Sequence, residues 1–218
     1  WWVERVRANL STCDIIRIDH FRGFEAYWAV PYGDDTAING QWEPGPGIDL
    51  FNAIKSQLGE LPIIAEDLGL MTQGVIDLRE ATGFPGMKIL GFAFDSGEEN
   101  DYLPHTYTKN CVVYTGTHDN DTLIGWFQKA KEEDRQFARD YLNSRSDDEI
   151  HWDAIRGAWS SVACMAISPV QDFLGLGSEA RINTPGVAAG NWQWRLKHGV
   201  LTDELAERIA KLTKVYSR

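Results

Sequence analysis

Cysteine is scarce in this 218-residue chain, and Cys13, Cys111 and Cys164 make an odd set with no CxxC pair. Thiolate metal ligation is therefore disfavoured, and Cys13 and Cys111, in or beside apolar segments, are expected to be buried free thiols in a reducing compartment. Histidine is thin as well: five residues, with no HxH or HxxxH pair to seed a metal site. Positive charge is in deficit, with 21 Lys and Arg against 32 Asp and Glu and a formal net charge of −11. That balance argues against a nucleic-acid backbone or an anionic membrane as partner. No apolar run reaches transmembrane length. The opening Trp1-Trp2-Val3-Glu4-Arg5 lacks the basic stretch and apolar core of a secretory signal, so the cytoplasm is the expected location. It also lacks an initiator methionine and reads as the middle or end of an amphipathic helix, which predicts that the chain is a piece of something longer. Internal repeats and low-complexity tracts are absent.

What is present in excess is tryptophan, at nine residues. Indole offers a flat apolar face and one N–H donor, which suits sugar rings, but filling a large core is its commoner use. The length suits one domain with an ample core.

Five short apolar runs read as strands: Asp14–Phe21, Pro62–Asp67, Met87–Phe94, Asn110–Gly116 and Met165–Leu174, the last interrupted by Pro169. Helical spacing of apolar residues predicts helices over Trp1–Thr12, Ile48–Leu58, Thr72–Thr82, Asp121–Asn143, Asp147–Ala163 and Thr202–Tyr216. In the fifth of these, Ile150, Ala154, Ile155, Ala158 and Val162 would share the inward face. Gly83 suits the left-handed position after the third helix. Alternation of strands and helices implies an α/β fold with a parallel sheet. A closed eight-stranded barrel of the (β/α)8, or TIM, type needs about 250 residues. Five strands therefore mean either an open sheet or the last five strands of a barrel, and the helix-like start favours the second. Residues 22–47 show no periodicity and carry Tyr27, Trp28, Tyr32 and Trp42; a loop of this length is expected to be a lid or binding loop.

Three of the strand candidates end in acidic clusters: Arg17-Ile18-Asp19-His20, Ala65-Glu66-Asp67 and Thr117-His118-Asp119-Asn120-Asp121. In a parallel barrel, catalytic groups gather at the carboxyl ends of different strands. Cleavage at a glycosidic bond needs one carboxylate to attack the anomeric carbon and one carboxylic acid to protonate the leaving oxygen. Asp19 suits the nucleophile, because Arg17, two residues earlier on a strand, shares its face and favours the ionised form. Glu66 suits the acid/base, since partial desolvation at the end of an apolar strand would raise its pKa. Asp119 would hold sugar hydroxyls and stabilise a cationic transition state. His20 and His118 are candidate donors to hydroxyls. Two blander readings stand beside this one. Asp67, Asp119 and Asp121 are also placed to cap following helices, and Asp19-His20 with His118-Asp119 would suit a metal-dependent hydrolase on the same scaffold.

The segments Arg17-Ile-Asp-His-Phe-Arg-Gly-Phe, Ala65-Glu-Asp-Leu-Gly, Gly116-Thr-His-Asp-Asn-Asp and Gly177-Ser-Glu-Ala-Arg-Ile-Asn-Thr-Pro-Gly closely resemble, in this order, those of the 4-α-glucanotransferases (amylomaltases or disproportionating enzymes). These are retaining enzymes of the α-amylase clan, and the resemblance covers essentially the whole chain. It implies a (β/α)8 barrel of which this chain holds strands four to eight. It also implies that Asp19 is the nucleophile on strand four, Glu66 the acid/base on strand five and Asp119 the stabiliser on strand seven. Arg17 and His118 would line the central sugar subsite, Trp28 would belong to a mobile loop over the cleft, and Asn183 and Pro185 would edge that cleft. The implied substrates are maltooligosaccharides and α-1,4-glucans, with no metal or organic cofactor. An N-terminal half carrying the first three strands is the expected partner. An α-glucan hydrolase using the same carboxylates and an inactive glucan-binding fragment are the alternatives.

Overall fold

A computed structural model describes residues 1–69 and 71–218, which divide into two compact units, Trp1–Met87 and Lys88–Arg218. The first unit begins with helix α1 (Trp2–Leu10), strand β1 (Ile16–Ile18) and a 3-10 turn over Phe21–Phe24. Strands β2 (Ala26–Ala29) and β3 (Gln41–Pro44), helix α2 (Gly47–Leu58), strand β4 (Ile63–Ala65) and helix α3 (Gln73–Thr82) follow. Strand β5 (Gly86–Ile89) runs across the division. The second unit continues with β6 (Cys111–Tyr114), α4 (Leu123–Lys129), α5 (Glu132–Leu142), α6 (Ile150–Trp159), β7 (Met165–Ile167), α7 (Val170–Phe173) and α8 (Asp203–Tyr216).

All five anticipated strand segments form strands, each shorter than its apolar run. In the first unit β1 pairs in parallel with β4, with Ile16 opposite Ile63 and Ile18 opposite Ala65. The pair is held by a core of Ile18, Phe21, Phe51, Ile63, Val75, Leu78 and Phe84. Phe21 is fully buried and stacks on Phe51 at 5.5 Å between ring centroids. Burying such a ring stabilises the fold by about 2 to 3 kcal/mol. It also fixes the chain just beyond the first acidic cluster. Helix α3 ends as expected, with Gly83 at φ 74° in the left-handed region.

Residues 22–47 are not a structureless loop, because β2 and β3 pair as an antiparallel hairpin with Trp28 opposite Trp42. The two indoles meet edge to face at 5.4 Å, and the Arg22 guanidinium lies 4.2 Å over the Trp42 ring. Cross-strand aromatic pairing of this kind gives a short, exposed hairpin its register.

In the second unit the sheet order is β5–β6–β7, with β6 and β7 parallel and Val112 opposite Met165. Leu90, Val113, Ile155, Ala158, Trp152 and Trp159 are in its core. Core filling accounts for Trp152 and Trp159, while Trp28, Trp42 and Trp192 are exposed. The helix expected over Asp121–Asn143 is two helices, because Ala130 and Lys131 take extended conformations between α4 and α5. Val162 falls beyond the end of α6 and is exposed, so it does not join the inward face. After β7 the chain turns at Pro169 into α7 and does not extend the strand to Leu174. Cys111 is buried, but Cys13 and Cys164 are exposed. Cys13 lies between α1 and β1, outside the ladder that would have covered it. Among the described residues, no helix is long and apolar enough to cross a membrane.

Candidate active site

In the first unit, the residues just past β1 and β4 continue the parallel ladder. The Glu66 N–H donates to the Ile18 carbonyl at 2.9 Å, and the Phe21 N–H to the Glu66 carbonyl at 2.9 Å. Between them, the His20 N–H donates to Glu66 Oε2 at 2.6 Å, and the Leu68 N–H donates to Oε1 at 3.1 Å. Glu66 is therefore held by main-chain groups at both its backbone and its carboxylate. His20 reaches this geometry in the left-handed region, at φ 48° and ψ 52°. An L-residue adopts that conformation at a cost of about 1 to 2 kcal/mol.

Asp19 sits opposite this anchor, and its side chain is 77% exposed. Arg17 Nη2 donates to Asp19 Oδ1 at 3.0 Å, as two-residue alternation along a strand predicts. Asp67, the next residue after Glu66, points the other way into the protein. It accepts from Arg79 Nη1 at 2.8 Å and from the Met87 N–H at 2.7 Å. It therefore ties α3 to the start of β5 and caps no helix. Trp28 is placed by the hairpin, where its Nε1–H donates to the Ala37 carbonyl at 2.9 Å.

In the second unit the turn after β6 is set by Asn120, whose side-chain oxygen accepts from both the N–H and the hydroxyl of Thr117 at 2.8 Å. This presents His118 and Asp119. His118 Nε2 lies 3.4 Å from Asp119 Oδ2, and the Asn183 amide donates to Asp119 Oδ1. The Asn183 N–H also donates to the His118 carbonyl at 3.1 Å. Asp119 caps no helix. Asp119 and Pro185 line an open cavity of about 520 Å³ together with Phe92, Asp95, Trp126 and Arg181. His118, Asp119 and Asn183 are thus joined directly, and of these three it is Asp119 that shares the cavity with Pro185.

Asp121 and Asp172 support this turn from below. Burial pushes the Asp121 carboxyl up, but bonds from Lys129 Nζ, the Ser178 hydroxyl and the Thr122 N–H hold it below the usual carboxylate range. The N-cap of α4 is Thr122, whose hydroxyl accepts from the Gly125 N–H, so Asp121 does not cap that helix but bonds the N–H of the capping residue. Asp172 is pushed up by burial while accepting from the Thr115 hydroxyl at 2.6 Å and the Leu123 N–H at 2.9 Å. Among the described residues, no three His, Cys, Asp or Glu side chains are grouped to hold a metal ion.

Sequence reasoning missed two residues here. Arg181, the one cation in the turn-rich stretch 175–186, donates from Nη2 to the Asp119 carbonyl at 2.6 Å. Trp192 lies 5.1 Å from the His118 ring and holds a left-handed φ of 63°. A positive φ on a bulky residue is visible only in the structure.

The family model for 4-alpha-glucanotransferase matches residues 1–202. A 4-alpha-glucanotransferase of Clostridium butyricum is 53% identical over the whole chain, which covers 45% of that protein. One from Synechocystis is 54% identical, again over the whole chain and 44% of the relative. An amylomaltase from Streptococcus agalactiae, solved in complex with acarbose, superposes with a TM-score of 0.95 at 38% identity, covering all of this chain and 44% of that one. The chain thus spans under half the length of these relatives. It belongs to the 4-alpha-glucanotransferase family.

Proposed function

We propose that this chain supplies the catalytic carboxylates of a 4-α-glucanotransferase that moves α-1,4-glucan segments to a glucose or maltooligosaccharide acceptor. It would be the C-terminal part of the catalytic barrel, holding strands four to eight, with residues 22–47 at the active site. The observation that carries the reading is the placement of Asp19 and Glu66. They directly follow the paired residues Ile18 and Ala65 of a parallel ladder, and Glu66 is clamped by the N–H of the residue after Asp19.

In the proposed reaction, Asp19 attacks the anomeric carbon of a donor glucan. The C1–O bond breaks, its electron pair goes to the departing oxygen, and Glu66 protonates that oxygen. The product is a glycosyl ester on Asp19. A sugar 4-hydroxyl then gives its proton to Glu66 and displaces Asp19, so that two inversions yield net retention. Asp119 stabilises the positive charge that develops at the ring in both steps. Arg17 and His118 contact the central sugar, with His20, Asn183 and Pro185 around it. Transfer prevails over hydrolysis when water is excluded and an acceptor ring is held, and the exposed aromatics of the β2–β3 hairpin suit both tasks.

The test is incubation with maltotriose and separation of products by size, using a full-length family enzyme that carries this 218-residue sequence. A ladder of longer maltooligosaccharides with glucose supports transfer. Growth in reducing ends without longer products would replace transfer by hydrolysis.

A further inference from the structure

We infer that Arg181 is a positioning residue for Asp119, locking that carboxylate from the main-chain side while Asn183 holds it from the side-chain side. The inference rests on the role proposed above for Asp119.

Three hydrogen bonds form a closed circuit. Arg181 Nη2 donates to the Asp119 carbonyl at 2.6 Å, and Arg181 Nε donates to the Asn183 carbonyl at 2.8 Å. The Asn183 amide in turn donates to Asp119 Oδ1. Both carbonyls that the guanidinium holds thus belong to the two residues whose side chains bond each other. The Arg181 N–H donates to the Ser178 carbonyl at 3.1 Å, and the Ser178 hydroxyl reaches Asp121 Oδ2 at 2.7 Å. The loop after α7 is therefore laced to the loop after β6 on both sides of Asp119.

Rigid planarity makes arginine suited to this brace. Its donors are fixed in a fork, whereas a lysine ammonium is a single point of charge on a flexible stem. Nε and Nη2 are occupied by main-chain carbonyls, so these donors act on substrate only through the residues they hold. Arg181 also lines the cavity, and KM separates direct sugar contact from this brace. A carboxylate that must meet a developing charge tolerates little displacement, since about 1 Å of misplacement can cost about a hundredfold in rate.

The experiment uses a full-length family enzyme carrying this sequence, with α-maltosyl fluoride as donor and maltose as acceptor. R181A is expected to lower kcat by about 10- to 100-fold, with KM within about threefold and the thermal midpoint little changed. R181K should fall between wild type and R181A, and it serves as the working variant if R181A does not fold. In a D119N background, R181A should remove no more than about a further threefold, because residues acting as one unit are not additive. A raised KM with kcat intact would overturn the inference in favour of direct sugar binding. A full additional loss in D119N, or wild-type kcat in R181K, would also overturn it. Wild-type kcat in D119N itself would refute the role of Asp119, a failure separate from any result on Arg181.

Discussion

The main-chain N–H of His20 donates to Glu66 Oε2 at 2.6 Å, so the residue beside one proposed catalytic carboxylate holds the other. This couples the two functional groups through a backbone that occupies the left-handed region at His20. Glycine there keeps the N–H and removes the strain, so H20G should fold with stability within about 1 kcal/mol of wild type or higher. H20V should lose more than about 1 kcal/mol, because a β-branched side chain resists positive φ. Urea unfolding of the pair checks this, and equal stability of H20V and H20G would contradict it.

Asp67 and Glu66 are neighbours with separate tasks. Asp67 is buried, with a side chain only 5% exposed, and pairs with Arg79, whose side chain is 18% exposed. D67A would leave that guanidinium only a 3.9 Å contact with the exposed Glu80 carboxylate, and the Met87 N–H without the Asp67 acceptor. A loss of about 3 kcal/mol or more in unfolding free energy is expected. Full stability combined with lost activity would move Asp67 from the scaffold to the chemistry.

Asp121 and Asp172 should respond to pH with opposite signs. The Asp121 pKa is depressed in the fold, so its contribution is present above the unfolded value near 3.8 and is lost as pH falls through the folded one. The Asp172 pKa is raised, so its contribution is present below 3.8 and is lost as pH rises through the folded value. D121N should therefore flatten the acid limb of the stability curve. D172N should relieve a cost at neutral pH, since an amide oxygen still accepts from the Leu123 N–H and its NH2 can donate to Thr115. Denaturant titrations between about pH 3 and 7 test both, and a D121N acid limb as steep as wild type would refute the first.

The hairpin offers a further test. A Cβ at Gly40 would lie 2.2 Å from Trp28 Nε1, so G40A must push that indole away from the Ala37 carbonyl. Trp28 is 41% exposed and its indole can swing outward, which should keep the global loss within about 1 kcal/mol. If the hairpin excludes water from the site, G40A should raise the share of hydrolysis, read as new reducing ends from maltotriose. An unchanged transfer-to-hydrolysis ratio would remove Trp28 from that task.

Much of this architecture was legible in the chain. Apolar runs rich in β-branched residues located all five of the anticipated strand segments, and alternation placed Arg17 and Asp19 in contact. The hairpin within residues 22–47 was not legible, because its strands are four residues long and their register is set by Trp28 meeting Trp42 across the turn. The break between α4 and α5 was hidden because Ala130 and Lys131 are good helix formers, and only their extended backbone ends the first helix. The acidic cluster pointed to His118 and Asp119, and the family resemblance to Asn183, but neither pointed to the brace. Arg181 acts on carbonyls, one of them 62 residues away, and a main-chain acceptor leaves no mark on side-chain pattern.

The central claim is that Asp19 becomes glycosylated while Glu66 serves both steps. It is tested most directly by trapping the ester in E66Q within a full-length family enzyme carrying this sequence. α-Maltotriosyl fluoride needs no acid to leave, so the first step should proceed while the second, deprived of its base, stalls. Mass spectrometry of the digested protein should then find the peptide containing Asp19 heavier by one maltotriosyl group, and D19N/E66Q should show none. A glycosyl adduct on any other residue, or one that survives D19N, would contradict the account.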